Sequence, residues 1–353
     1  MSCNIILNKP RVFHPRDNIN GRVVVSFDHE EHIEGIRCSF RGREQVHWTE
    51  QKDKAIVHVG AQSDFLVQNI VLVGEEGYMK PGAYEYQFSF TLPSGNIPSP
   101  FVEEFGSIRY LVQAKVDRAS KVDYKDEYEI KFEVPTTQYV ELSQNEQLTY
   151  QVGKEINKNE YAAMFLILES DTYVLGNEMS FTVELKNRSR LKIRRIQADL
   201  SLNIQFISPG PPTKCKIHKI PITMVEDEGE QKGYTRLYNL KLKIPPDVLL
   251  PNFGSCDLLK YWCTLKIEAL LPSPHTNLIL EKNIKLGHVA IDSKKKYVPS
   301  APPITDVHLF ASGHIECVSE INPNPIFYSN EQVGPNNTDK DAPPPSYDEV
   351  IKQ

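Results

Sequence analysis

The chain has 353 residues, 24% charged and 40% hydrophobic, and its 40 Lys and Arg against 46 Asp and Glu leave a net charge of −6. So near-neutral a balance excludes the broad basic surface that grips nucleic acid phosphates, and the length suggests about two domains with a remainder. With 25 Pro against 18 Gly, and with 16 Tyr and 15 Phe, the composition argues against a helical bundle and for strands plus a Pro-rich segment.

The N-terminal stretch MSCNIILNKPRVFHPRDN carries only Ile5, Ile6 and Leu7 as an apolar run, which is not a secretory signal, and no later run reaches the length of a membrane span. From there the dominant signal is alternation with a period of two. Val23/Val25/Phe27 and Ile36/Cys38/Phe40 come first, separated by His29-Glu30-Glu31-His32, which reads as a solvated loop and not as the helical zinc motif H-E-x-x-H. Tyr84, Tyr86, Phe88, Phe90 and Leu92 alternate with Glu85, Gln87, Ser89 and Thr91, and Ile108/Tyr110/Val112/Ala114/Val116 come next. After a polar stretch near Ser143 to Lys158 the pattern resumes with Phe181/Val183/Leu185, Ile196 to Phe206, Leu240/Leu242/Ile244 and Tyr261/Cys263/Leu265/Ile267. Such half-buried strands, punctuated by Pro, Gly and Asn, make antiparallel β-sandwiches.

The two halves repeat each other. A shift of 160 places Ile19 on Met179, Val23 on Val183, Ile36 on Ile196 and Phe40 on Leu200; a shift of 152 places Leu92-Pro93 on Ile244-Pro245; a shift of 151 places Tyr110 on Tyr261 and Val116 on Ile267. A duplication with small loop deletions explains the drift. The expected organisation is an N-terminal sandwich over residues 1–145, a linker over 146–160, a C-terminal sandwich over 161–292 and a disordered Pro-rich tail over 293–353. The tail from Asp292 onward holds nine of the 25 prolines, and its five Lys against nine acidic residues contribute −4 of the −6. That composition buries too little apolar surface to offset ordering entropy, apart from a short apolar piece at Val307–Phe310.

The six cysteines (Cys3, Cys38, Cys215, Cys256, Cys263, Cys317) show no C-x-x-C pair and no zinc spacing. They are expected as free thiols in the cytosol, with Cys38 and Cys263 as small core residues and the sequons at Asn187 and Asn336 bare. The chain has no G-x-S-x-G, G-x-G-x-x-G or Walker motif, and no cofactor or catalytic residue is assigned.

Two β-sandwiches with a Pro-rich tail resemble the arrestin family. The segment Val12-Phe13-His14-Pro15-Arg16-Asp17-Asn18-Ile19-Asn20-Gly21-Arg22-Val23 is similar to the family's N-terminal signature, in which a turn of Pro-Gly-Asp type leads into I-x-G-x-V; Arg16 stands in the usual Gly place. The stretch LPSGNIPSPFVEEFGSIRYLVQAKV from Leu92 to Val116 resembles the α-arrestin, or arrestin domain-containing, branch, and Tyr173–Val183 with Asn187-Arg188-Ser189 resembles the start of the C-terminal arrestin domain. The resemblance implies a non-catalytic adaptor for membrane cargo such as receptors or transporters, at work in the cytoplasm, the plasma membrane and endosomes.

Pro344-Pro345-Ser346-Tyr347 forms a PPxY motif. Its prolines pre-set a polyproline II helix, which WW domains receive in an aromatic groove with a second pocket for the tyrosine. In the resembling family this motif recruits HECT-type ubiquitin ligases, promoting ubiquitination, endocytosis and endosomal sorting. Most relatives carry two copies; Pro302-Pro303-Ile304-Thr305 lacks the tyrosine, so tandem avidity is not expected. Pro299-Ser300-Ala301-Pro302 matches the P-S/T-A-P pattern read by ESCRT-I, against the simpler reading of a Pro-rich spacer leaving the second sandwich. Arg190, Lys192 and Arg194, on one face of an expected strand, form with Arg195 a basic stripe suited to anionic lipid headgroups. A parity switch before Ile196 marks a turn or bulge, and Lys214, Lys216, Lys219 and Lys294–Lys296 add to the charge. An ordinary solvated strand face accounts for the stripe as well. Two other functions fit the same body, a ubiquitin-independent cargo-sorting scaffold and a thioredoxin-binding redox regulator.

Overall fold

Side chains that alternate between apolar and polar must put one face of each strand in a core. The structure, a computed structural model, describes residues 2–52, 55–95, 97–118, 121–134, 137–141, 147–229 and 233–291. Among them there is no helix, and so none long and apolar enough to cross a membrane.

The first half contains β1 (Ser2–Leu7), β2 (Asn18–Phe27), β3 (Glu31–Ile33), β4 (Gly35–Lys52), β5 (Ala55–Val73), β6 (Gly77–Met79), β7 (Gly82–Thr91), β8 (Phe101–Glu103), β9 (Gly106–Asp117) and β10 (Tyr124–Glu129). One sheet runs β1-β2-β7 and the other β10-β9-β4-β5; β3 pairs β6, and β8 folds onto β9. The second half contains β11 (Tyr139–Glu141), β12 (Leu148–Asn157), β13 (Glu160–Leu168), β14 (Thr172–Val174), β15 (Glu178–Arg188), β16 (Arg195–Ser208), β17 (Lys214–Glu228), β18 (Thr235–Lys243), β19 (Leu259–Ala269), β20 (Leu278–Gly287) and β21 (Val289–Ile291). Its sheets run β12-β13-β15-β18 and β14-β20-β19-β16-β17, while β11 and β21 pair in parallel.

The duplication is visible in these orders. Strands β9-β4-β5 recur as β19-β16-β17, and β2-β7 recurs as β15-β18. The matched positions are core positions in both copies: Val23 and Val183, Ile36 and Ile196, Val116 and Ile267 are all fully buried.

The linker expected over 146–160 is mostly sheet. Strand β12 pairs β13 from Leu148 opposite Leu168 to Asn157 opposite Glu160, as the edge of the second sandwich. Leu148, Tyr150, Val152 and Ile156 pack on the core with Lys154 half-buried among them, while Thr149, Gln151, Gly153 and Glu155 on the other face stay exposed. A wet outer face and Gly153 gave this edge strand the polarity of a connector.

His29–His32 also differs from the expected solvated loop. Glu31 begins β3 and is 3% exposed, with Lys121 Nζ at 2.7 Å, His29 Nε2 at 3.2 Å and Arg118 Nη1 at 3.6 Å. The hydrogen bond from Lys121 holds its carboxyl below the usual range. Among the described residues no group of three or more His, Cys, Asp or Glu is placed to hold a metal ion.

The signature at residues 12–23 has a steric origin. Asp17 N donates to His14 O (3.1 Å), closing a turn with Pro15 first and Arg16 second, and Arg16 has φ of 71°. That left-handed conformation suits Gly, so Arg16 carries strain which a Gly there avoids. Asp17 Oδ2 accepts from His14 N at 2.9 Å and tightens the turn. Within I-x-G-x-V, Ile19, Gly21 and Val23 share the buried face. A Cβ on Gly21 would lie 2.6 Å from both the Phe88 ring and the Ile6 carbonyl oxygen.

Gly21→Ala is therefore expected to destabilise the chain by about 1–3 kcal/mol through overpacking, read as a drop in chemical denaturation midpoint. Gly77→Ala, where a Cβ meets nothing within 4 Å, is the control and is expected to stay within about 0.5 kcal/mol of the parent.

Candidate functional site

The segment from Ile97 to Gly106 joins the two sandwiches. Tyr110 Oη donates to Pro98 O at 2.6 Å, and its ring lies 4.7 Å from that of Phe132 and 6.0 Å from that of Phe40. This fixes the start of the segment on the first sandwich. Ser99 N then donates to Asn252 O (2.8 Å), and Asn252 Nδ2 donates back to Ile97 O (3.0 Å). Phe101 packs edge-to-face on Phe253, and Phe105 on Phe206, with centroids 5.0 and 5.7 Å apart. Lys216 Nζ sits 3.8 Å from the Phe105 centroid, a cation over the negative face of the ring. At Gly106 a Cβ would come within 2.8 Å of Phe206, so only Gly lets the strands approach this closely.

Beside this clamp lies Glu44, 1% exposed. Its two carboxylate oxygens accept from Asp257 N at 3.0 Å and Leu258 N at 2.9 Å, so a carboxylate of the first sandwich caps a turn of the second. Burial raises its pKa, opposed by those two bonds and by one from the Cys256 thiol. Further along, Lys214 Nζ meets Glu50 at 2.6 Å and Ser208 Oγ donates to Gly60 O at 3.1 Å. Gln138 Nε2 donates to Pro251 O at 2.7 Å, and Gln138 Oε1 accepts from Tyr261 Oη at 2.6 Å.

Where the clamp leaves the second sandwich it opens a cleft of about 610 Å³, lined among others by Phe101, Val102, Ile220, Ile222, Leu249 and Phe253. Val102 is 65% and Leu249 88% exposed. Glu103 and Asp247 also line it. A cleft of this size takes a few large apolar side chains or a small ligand, and its chemistry suits binding, with no assembled acid–base pair.

The basic residues read from the sequence are placed differently from expectation. Arg190, Lys192 and Arg194 lie in the connection between β15 and β16 and not in a strand. Burial still alternates through it, with Leu191 half-buried and Ile193 fully buried. Arg190 Nε meets Glu160 at 3.0 Å and Arg195 Nη1 meets Glu226 at 2.9 Å; Lys192 and Arg194 stand exposed. The parity switch falls at Arg194 and Arg195, both exposed, where Gly229 N donates to Arg194 O. Lys214 and Lys216 belong to the seam and not to this stripe. Lys294–Lys296, Pro299–Pro302, Val307–Phe310, Cys317, Asn336 and Pro344–Tyr347 lie outside the described residues.

Of the described thiols, Cys3, Cys38 and Cys263 are buried and Cys215 is exposed. Burial pushes Cys3 up to about 11 and Cys38 and Cys263 up to about 12. Sequence reasoning missed Glu44, although a signal existed. Glu44 occupies the apolar register of β4, between Phe40 and Gly42 on one side and Val46 and Trp48 on the other.

Comparison with known proteins agrees with this architecture. Models of the arrestin (or S-antigen) N-terminal and C-terminal domains match residues 3–137 and 164–291. The chain is 21% identical over 214 residues to human arrestin domain-containing protein 5, covering 58% of this chain and 62% of that one. It is 22% identical over 293 residues to mouse arrestin domain-containing protein 4 (77% and 68%), and 28% identical over 127 residues to mouse thioredoxin-interacting protein (34% and 32%). It thus spans less than two thirds of the length of arrestin domain-containing protein 5 and about a third of thioredoxin-interacting protein.

The Glu44 carboxyl gives the seam a pH dependence of known sign. Its folded pKa lies above the ordinary 4.5, so its contribution to stability is complete below that value and is lost as pH rises through the raised one. The stability of the parent relative to Glu44→Gln should be greatest below 4.5 and decline toward neutrality. Denaturant titrations of both proteins from about pH 4 to pH 7 check this, and a flat difference contradicts it.

Proposed function

Since this chain belongs to the arrestin family, in its arrestin domain-containing branch, we propose that it works as an adaptor whose sandwiches hold a membrane receptor or transporter while Pro344, Pro345 and Tyr347 recruit a HECT-type ubiquitin ligase through its WW domain. The observation that carries this reading is one chain joining a body of two arrestin domains to a PPSY sequence. A polyproline segment loses little entropy on docking. Tethering the ligase to the cargo raises the effective concentration of cargo lysines around it, so ubiquitination, endocytosis and endosomal sorting need no active site in this chain. The adaptor then works at the cytoplasmic face of the plasma membrane and of endosomes. Pro299-Ser300-Ala301-Pro302 adds a contact to ESCRT-I for sorting.

The basic residues support peripheral membrane contact. Lys192 and Arg194 project from one end of the second sandwich, beside the paired Arg190 and Arg195. Thioredoxin binding, which the name of one relative carries, finds less support. Exchange needs an accessible thiolate; burial holds Cys3, Cys38 and Cys263 as thiols, which leaves Cys215 as the exposed thiol among the described residues.

A C-terminal peptide containing residues 340–353 is expected to retain a WW domain on a column, and Tyr347→Ala to weaken that binding at least about tenfold by emptying the tyrosine pocket. In cells, deletion of residues 343–350 should abolish cargo ubiquitination and slow its endocytosis. Normal trafficking after that deletion would instead establish the ubiquitin-independent scaffold.

Vesicles containing phosphatidylserine should bind the full chain, and vesicles of phosphatidylcholine alone should not. At about 1 kcal/mol per basic residue, Lys192→Ala together with Arg194→Ala lowers that affinity ~30-fold. Equal co-sedimentation of parent and variant removes the lipid contact from the proposal.

A further inference from the structure

The cleft beside Phe101 and Phe253 has a wall whose position relative to the end of the second sandwich is fixed. Gln138 bonds Pro251 of that wall through its side chain, and its backbone oxygen accepts from His288 N at 2.8 Å. The three residues after Gln138 form β11, on which β21 lies in parallel, Tyr139 opposite Val289 and Glu141 opposite Ile291. The chain therefore leaves the second sandwich within one short strand of the cleft wall. Ile291 thus lies one short strand from Gln138, whose side chain bonds the wall of a cleft on which Val102 and Leu249 are largely exposed.

We propose that this cleft is the docking site of the chain's own segment 304–310, Ile304-Thr305-Asp306-Val307-His308-Leu309-Phe310. Reach allows it. The 12 residues from 292 to 303 span up to about 40 Å when extended, enough to turn back along β21 and pass Pro251. A tether this short holds its end near the cleft at an effective concentration in the millimolar range, so a contact that is weak between separate molecules is populated within one.

The chemistry fits as well. Four of the seven residues are large and apolar, and the only formal charge among them, with His neutral, is Asp306. The cleft offers apolar walls from both sandwiches, with Glu103 and Asp247 as its charged members. Docking Val307, Leu309 and Phe310 covers surface that water otherwise wets, at a gain of about 25 cal/mol per Å². The 43 residues from 311 to 353, with Pro344–Tyr347 among them, lie beyond the docked segment. The docking does not rest on ligase recruitment, and the two are tested separately.

The test uses the full chain with p-benzoylphenylalanine replacing Leu249. Irradiation followed by mass spectrometry is expected to give a crosslink within one chain to a residue of 304–310. A crosslink at dimer mass, one to Ile326–Tyr328 or another site, or none at all overturns the proposal. Hydrogen exchange provides a second reading on the unlabelled chain. In the triple variant Val307→Asp, Leu309→Asp, Phe310→Asp, the amides of 99–103 and 247–253 should exchange at least about tenfold faster than in the parent. Amides of β2 and β15 serve as the folding reference and should be unchanged. Equal exchange at the cleft in parent and variant also overturns the docking.

Discussion

Everything distinctive in this molecule depends on the contact between the Phe105-Gly106 turn and Phe206. Domains joined within one chain move against each other unless their interface is large or well packed. Here the first sandwich sends an aromatic turn into the second, and the absence of a side chain at Gly106 lets the Phe206 ring lie against backbone. Glu44 locks the same seam from the polar side by capping Asp257 N and Leu258 N. Apolar contact supplies most of the attraction, and the buried carboxylate fixes the register, because any slip leaves a charge without its donors. The cleft is a by-product of this joint. Its walls come from β8 and the residues before it, from β16 and β17, and from the loop 247–253.

Duplication explains why such a joint is needed. Each copy folds its own pair of sheets, and the buried apolar residues of the two form one continuous core. What the pair requires is a fixed relation, and the segment 97–106 supplies it. Edge protection obeys a similar logic. The backbone N–H of Ile5 in β1 donates to Asp126 Oδ2 in β10 at 2.7 Å, bridging the edges of the two sheets of the first sandwich. In β17 a proline, Pro221, stands at the irregularity in its pairing with β16, where it removes a donor from an exposed ladder.

Alternation made most of the fold legible, because a strand with one wet face writes its burial directly into the sequence. The matched core positions of the two halves kept their parity through the duplication, so the repeat was legible too. The failures share a cause. Strand β12 looked like a linker because only half of an edge strand's surface is covered and Lys154 interrupts its apolar face. Arg190 to Arg194 looked like a strand because burial alternates in an anchored connection as it does in a sheet. Glu31 and Glu44 looked solvated or went unnoticed because their partners, Lys121 and the Asp257 turn, lie 90 and 213 residues away. A tertiary cap of that kind has no local signature beyond a charge in an apolar register.

The segregation of charge acquires a physical role from this geometry. The tail from Asp292 carries −4 of the net −6, leaving a near-neutral body. An adaptor gains nothing from chemistry at its own surface. It needs a body stiff enough to present cargo in a constant orientation and an arm whose reach, not its affinity, sets the local concentration of what it carries. The seam at Phe206 and Glu44 meets the first need, and on the proposed function the second falls to the Pro-rich sequence from Asp292 onward. On the proposed reading, the short apolar segment at 304–310 is where these requirements meet, since it alone in the first part of the tail has the composition to bind the body.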